Sequence, residues 1–329
     1  MSQERFRGVF TIPSTSFHED LEIDWEGLRR IVDFCVDCGA HGIVWPVNAS
    51  GFPVLTDEER LKGFEVVTDQ VGGRIPTILG VQGVSGKHAS MFSRRAKEVA
   101  ADGVIAMAPY VQELEDENAV LDYYRAIDQE IEVPIFIQNH TRGSVLSIDT
   151  MVRILDEVEH VEYVKEETFP VTHMITGLNE RGGDKLKGVF GGAGGRYLLQ
   201  EYPRGVAGQM PGCHVTDVVV QLWNALDSGN LTEAKRVYGL MAPLFALETL
   251  KGSSYPEVLR RRGVIDGVRS RLTTEFPTQD EYDHAALDDA LRDLEPLFTW
   301  SDGPIHYGPP ASFSREKGKQ TASSGGAAV

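Results

Sequence analysis

The sequence predicts an α/β fold, a (β/α)8 barrel of the TIM type with a C-terminal helical subdomain. Short apolar runs alternate with amphipathic stretches, and eight such pairs follow one another before the pattern changes to helices alone. Strands that are each followed by a helix are joined by crossovers and run parallel, and eight such units close most naturally into a barrel. A doubly wound open sheet is the alternative. It would normally carry a glycine-rich phosphate turn after its first strand, and Ile12-Pro13-Ser14-Thr15-Ser16 is not one.

The strands are expected, in order, at Gly8–Pro13, Gly42–Pro46, Ile75–Val81, Gly103–Ala108, Pro134–Gln138, Glu162–Lys165, Leu186–Gly191 and Gly205–Met210. The intervening helices are expected at Asp24–Asp37, Thr56–Val71, Ser85–Ala101, Glu117–Glu130, Ser147–Glu157, Thr168–Arg181 and Gly194–Tyr202. In the first, Leu28, Ile31 and Val32 fall at helical spacing. The second opens with Thr56-Asp57-Glu58-Glu59, a capping box. Beyond the last strand, Val215–Asp227, Leu231–Leu247, Tyr255–Arg262 and His284–Leu294 read as further helices. Gly, Pro and Ser then accumulate from Ser301, which predicts a flexible tail. The expected organisation is a barrel over 1–212, C-terminal helices over 213–300 and a tail over 301–329.

The totals narrow the function. The chain has 49 acidic and 32 basic residues, a net charge of −17. That argues against nucleic acid or an anionic membrane as partner, since both require basic patches. No apolar run reaches the roughly 18 residues of a membrane span. The opening Met1-Ser2-Gln3-Glu4-Arg5 does not read as a signal peptide, and the expected location is cytoplasmic. Cys35 and Cys38 are spaced C-x-x-C, yet they lie in the stretch Trp25–Cys38, which reads as amphipathic and helical, and no second ligand pair follows. They read as small hydrophobes. The histidines are scattered without H-x-x-x-H spacing, so neither metal nor cofactor is expected. G-x-S-x-G is absent.

In a barrel of this kind the chemistry sits at the C-terminal ends of the strands. The sixth strand ends in Lys165-Glu166-Glu167, where side-chain alternation puts Lys165 and Glu167 on one side and Glu166 on the other. An amine that condenses with a carbonyl, next to a carboxylate that moves a proton at the adjacent carbon, suits imine chemistry on a keto acid. Burial would push the lysine toward its neutral form while the carboxylate would favour the charged form, and a salt-bridged structural pair is the plain alternative. At the second strand's end, Asn48-Ala49-Ser50-Gly51 offers backbone N–H groups and the Ser50 hydroxyl to a carboxylate, or forms an ordinary turn. Gln138, Asn139 and His140 end the fifth strand. Gly191–Gly195, including Gly192, leaves room for substrate after the seventh, and Met210 ends the eighth. Arg196 meets a carboxylate or a solvent anion.

These residues resemble the N-acetylneuraminate lyase / dihydrodipicolinate synthase superfamily of class I Schiff-base enzymes over roughly residues 6–298. The markers are Gly39-Ala40-His41-Gly42-Ile43-Val44, Leu55-Thr56-Asp57-Glu58-Glu59-Arg60, Gly73-Arg74-Ile75-Pro76-Thr77-Ile78, Ala108-Pro109-Tyr110 and Val164-Lys165-Glu166. The resemblance implies that Lys165 forms the imine with a 2-keto acid, that Ala49-Ser50 binds its carboxylate, and that the protein is a homotetramer or homodimer. Two departures matter. Ala49-Ser50 replaces the family's paired threonines. Gln138 stands where the family carries a tyrosine that relays a proton in aldol chemistry, and an amide cannot act as a base near neutrality. The branch of L-2-keto-3-deoxyarabonate dehydratases also has glutamine there, with a glutamate at the position of Glu167, although its following aspartate is Asn139 here. The expected activity is therefore dehydration of a 2-keto-3-deoxy sugar acid. Lys165 would be the electron sink and Glu167 the C3 base. A pyruvate-releasing aldolase and a non-catalytic keto-acid-binding protein are the alternatives.

Overall fold

A computed structural model describes residues 6–112, 114, 116–251, 254–271 and 280–309. Eight parallel strands close into a barrel in sequence order. They are β1 (Gly8–Thr11), β2 (Gly42–Trp45), β3 (Thr77–Gly80), β4 (Gly103–Met107), β5 (Ile135–Asn139), β6 (Val161–Glu166), β7 (Gly188–Gly191) and β8 (Gly208–Gln209). The helices between them are α1 (Trp25–Asp37), α2 (Asp57–Val71), α3 (Gly86–Glu98), α4 (Glu117–Asp128), α5 (Ile148–Glu157), α6 (Val171–Arg181) and α7 (Leu198–Glu201).

Local chemistry explains where the helices start. Asp24, Ser85, Asp116 and Ser147 each accept a backbone N–H in the first turn of α1, α3, α4 and α5. Thr56 and Glu59 form the predicted reciprocal box on α2. Two of these helices start three or more residues later than expected. α6 begins at Val171 rather than Thr168, because Thr168 is drawn back onto Glu166 and Pro170 precedes the first helical residue. α7 is one short turn, because Gly194 and Gly195 adopt φ of +68° and +85°, outside the helical region.

The core has two parts. Outward-facing strand residues such as Ile43, Val104, Ile137 and Val164 pack under the helices. Cys35, Cys38 and Cys213 lie in that layer as free, buried thiols. Inward-facing residues fill the barrel, and here aromatics dominate. Phe136 stacks on Tyr163 with centroids 4.5 Å apart, and Phe190, Phe10 and Phe6 close round them edge-on or tilted. This plug is the floor on which the strand ends stand.

Beyond β8 lie α8 (Thr216–Asp227), α9 (Leu231–Lys251), α10 (Tyr255–Arg261) and α11 (Glu281–Leu294). The hydroxyl of Thr216 hydrogen-bonds that of Thr11 on β1 at 2.9 Å, so α8 completes the ring of helices from within the segment assigned to the C-terminal helices. Arg262 joins the layers. It meets Asp217 of α8 at 2.6 Å, donates to His214 O, and lies over Phe34 of α1 and Phe298. The start of the expected tail is pinned: His306 N donates to Arg261 O and Tyr307 Oη donates to Glu295. Its remainder, 310–329, lies outside the described residues. Among the described residues, no helix is long and apolar enough to cross a membrane.

Candidate active site

The site is built on the paired ends of β5 and β6, where Gln138 stands opposite Lys165 and Asn139 opposite Glu166. Phe136, Gln138, Tyr163 and Lys165 share the inward face, since alternate residues on a strand do. Lys165 is 2% exposed, and its Nζ lies 2.9 Å from Glu167 Oε2. Gln138 Nε2 donates to the same oxygen at 2.8 Å. Glu167 N donates to Asn139 O at 3.0 Å, which prolongs the ladder one residue past the strand and fixes where its side chain starts. Burial pushes the Glu167 carboxyl up, but Lys165, His140 and the Gln138 amide together outweigh that and hold it below the usual carboxylate value.

Glu166 points the other way, into the apolar layer under the helices. A buried carboxylate needs partners there, and it has three. Thr168 N and Oγ1 donate to Oε1, and Asn139 Nδ2 donates to Oε2 at 2.9 Å. Burial still leaves its pKa raised. Asn139 is fully engaged in this clamp: it also donates to Leu146 O at 3.0 Å and accepts from Leu146 N at 2.9 Å. Asn139 thus lies outside the inward-facing group and braces the turn that carries Glu167. The alternation that put Glu166 outward could have suggested the clamp, but its partners lie on another strand and loop.

The other expected residues fall as follows. His140 is half-buried, and its Nδ1 accepts from Arg142 N at 2.9 Å. Burial lowers its pKa, against the pull of the Glu167 charge, which shows that the two share one neighbourhood. Asn48–Ser50 forms a tight turn in which the N–H groups of Ser50, Gly51 and Phe52 donate back to Val47 O and Asn48 O. These three amides are therefore engaged within the turn rather than presented outward. The Ser50 hydroxyl accepts from Val47 N, its carbonyl accepts from Thr15 Oγ1, and Ala49 packs against the barrel interior. A small crevice, about 10 Å³, borders Ala49 and Ser50. Met210 is buried among the inward-facing residues. Gly192 lies flat against Glu167, so that a Cβ there would sit 2.3 Å from Glu167 Oε1. A buried acid on α7, Glu201, escaped the sequence reading because no motif surrounds it.

A lysine buried beside a carboxylate at the end of β6 of a closed eight-stranded barrel is the observation that the comparisons bear on. The family described as the dihydrodipicolinate synthetase family matches residues 5–285. The chain belongs to that family. It is accordingly a lyase-family enzyme. An L-2-keto-3-deoxyarabonate dehydratase of Azospirillum brasilense is 29% identical over 301 residues, covering 90% of this chain and 97% of that one. A 4-hydroxy-tetrahydrodipicolinate synthase of Chloroherpeton thalassium is 27% identical over 281 residues, covering 82% and 89%. The crystal structure of dihydrodipicolinate synthase from Aquifex aeolicus superposes with a TM-score of 0.79 at 24% identity, covering 90% of this chain and 100% of the other. That structural likeness establishes the barrel fold with its C-terminal helices.

Proposed function

We propose that this family member is a Schiff-base hydro-lyase that dehydrates a 2-keto-3-deoxy sugar acid resembling L-2-keto-3-deoxyarabonate. The observation that carries the reading is the contact of Lys165 Nζ with Glu167 Oε2 beside Gln138. Lys165 passes a proton to Glu167, and its neutral amine attacks the C2 carbonyl. Glu167 returns that proton to the carbinolamine hydroxyl, which leaves as water to give an iminium and a free Glu167 carboxylate. Glu167 then takes a C3 proton, and the electron pair of that C–H bond moves into the imine. The enamine expels the C4 hydroxyl, which leaves as water with the proton held by Glu167. Hydrolysis restores Lys165, so that two waters are lost, one is consumed, and the net change is one water. Ser50, whose hydroxyl already accepts from Val47 N, turns its own proton toward the substrate carboxylate. Gln138 orients Glu167 without competing for the proton.

The dehydratase relative supports this reading, as does the amide at position 138, which cannot take the proton of a C4 hydroxyl. Aldol cleavage is the second reading. It is favoured only by His140, whose lowered pKa leaves a neutral imidazole near Glu167 at pH 7. A panel of 2-keto acids with product mass as readout separates the two: an undivided acid lighter by one water supports the dehydratase, and released pyruvate sinks it. Lys165→Ala should abolish turnover and the borohydride-trapped substrate adduct, and normal turnover by that variant would overturn the imine. We further propose a homotetramer or homodimer, checked by light scattering.

A further inference from the structure

The two oxygens of Glu167 face two different spaces. Oε2 meets Lys165 and Gln138 in the barrel mouth. Oε1 faces Gly192, and that residue and Glu167 together line a crevice of about 80 Å³. Glu166, Arg196, Tyr197 and Glu201 also line this crevice, and exposed Phe169 stands at its edge.

Glu201 is the unusual member. It is fully buried on α7, Gln209 Nε2 donates to its Oε2, and its Oε1 has no hydrogen-bond partner among the described residues. Burial pushes its pKa up to about 8, against the Gln209 hydrogen bond and with the Glu167 charge adding to the rise. The carboxyl is therefore mostly protonated at neutral pH and carries a transferable proton. The other groups around it are committed. Glu166 is held by Thr168 and Asn139. Arg196 Nη2 donates to Phe245 O and sits 4.0 Å from Glu248. Tyr238 of α9 donates to Arg196 O. Tyr197 borders the crevice from the loop before α7.

Resting on the imine reading above, we propose that this crevice is a proton route, in which Glu201 exchanges protons through water with Glu167 Oε1. Glu201 is then a positioning residue, acting through Glu167. It lets the base change its proton with solvent while the barrel mouth is filled by the iminium. The exchange conserves charge: Glu167 gives one proton to water in the crevice and takes another back, and Glu201 does the same. A space of this size has room for the waters required.

Pyruvate is a sufficient probe, because its imine exposes methyl hydrogens to the same base. In D2O, a C3–H bond breaks, its proton goes to Glu167, a deuteron replaces it by way of the crevice, and the enamine carbon takes the deuteron. The experiment compares wild type, Glu201→Gln and Glu201→Asp by methyl exchange in NMR and by borohydride trapping of the pyruvate adduct, across pH 6–10. The expected result is that Glu201→Gln traps the adduct as well as wild type but exchanges at least about tenfold more slowly. It should also lose an inflection near pH 8, which Glu201→Asp keeps. Unchanged exchange and profile in Glu201→Gln, with trapping intact, overturns the route alone. Trapping and exchange falling together also overturns it, as a structural effect. A wild type that yields no trapped adduct overturns the imine and the route together.

Discussion

Glu167 shows how one side chain acquires two properties from its surroundings. Its charge is held by Lys165 on one oxygen, while the other is left against a glycine. Replacing it by Gln keeps the shape and the contact with Gln138 but removes the base. Glu167→Gln should form the borohydride-trapped imine yet lose about 10²–10⁴-fold in C3 exchange. Retained exchange would sink the assignment. Glu201 gives a stability prediction of definite sign. Its pKa is raised from 4.5 to about 8, so the folded state binds more protons than the unfolded state between those values. Its contribution is full below pH 4.5 and is lost as pH rises through 8. Glu201→Gln should flatten the fall in denaturation midpoint over that window relative to wild type, and a parallel fall in both proteins would contradict the buried, neutral acid.

At the scale of elements, the end of β6 is held from both sides. The Asn139–Glu166–Thr168 clamp fixes the backbone beneath Glu167, and the loop after β7 presses on its side chain at Gly192. A methyl at 192 would meet Glu167 Oε1, Cδ and Cγ within 2.6 Å. Gly192→Ala should therefore displace Glu167 and lower turnover by about tenfold or more, since small misplacements at a reacting centre are costly. The thermal midpoint should move little, because the loop lies at the rim of the barrel, away from its core. A variant with wild-type turnover would show that Glu167 does not need this position. The same loop explains why α7 is shorter than the sequence predicts. The run after Gly194 is apolar enough for a helix, but two consecutive left-handed glycines postpone it to Leu198.

For the whole molecule, the Arg262–Asp217 pair decides how the C-terminal helices meet the barrel. Both side chains are wholly buried. Asp217 also accepts from Thr299 N, and Arg262 also reaches His214 O. Removing one partner leaves an uncompensated buried charge. Asp217→Ala should lose about 3–5 kcal/mol in urea denaturation, and a loss below about 1 kcal/mol would show that the pair is not what joins the layers.

The barrel was legible because hydrophobic alternation and crossover lengths are local facts about the chain. Lys165 and Glu167 were legible as a pair because strand periodicity alone puts them on one side, and their contact follows from the strand end. Other features depended on which strands and loops become neighbours in space. The amides of the Ser50 turn close on themselves, Asn139 serves a clamp rather than facing inward, and Glu201 comes up behind Glu167 from 34 residues along the chain. A sequence determines which faces are apolar and which groups carry charge. Only closure of the barrel determines which polar groups must share the same dry space, and that sharing sets their partners and their proton affinities.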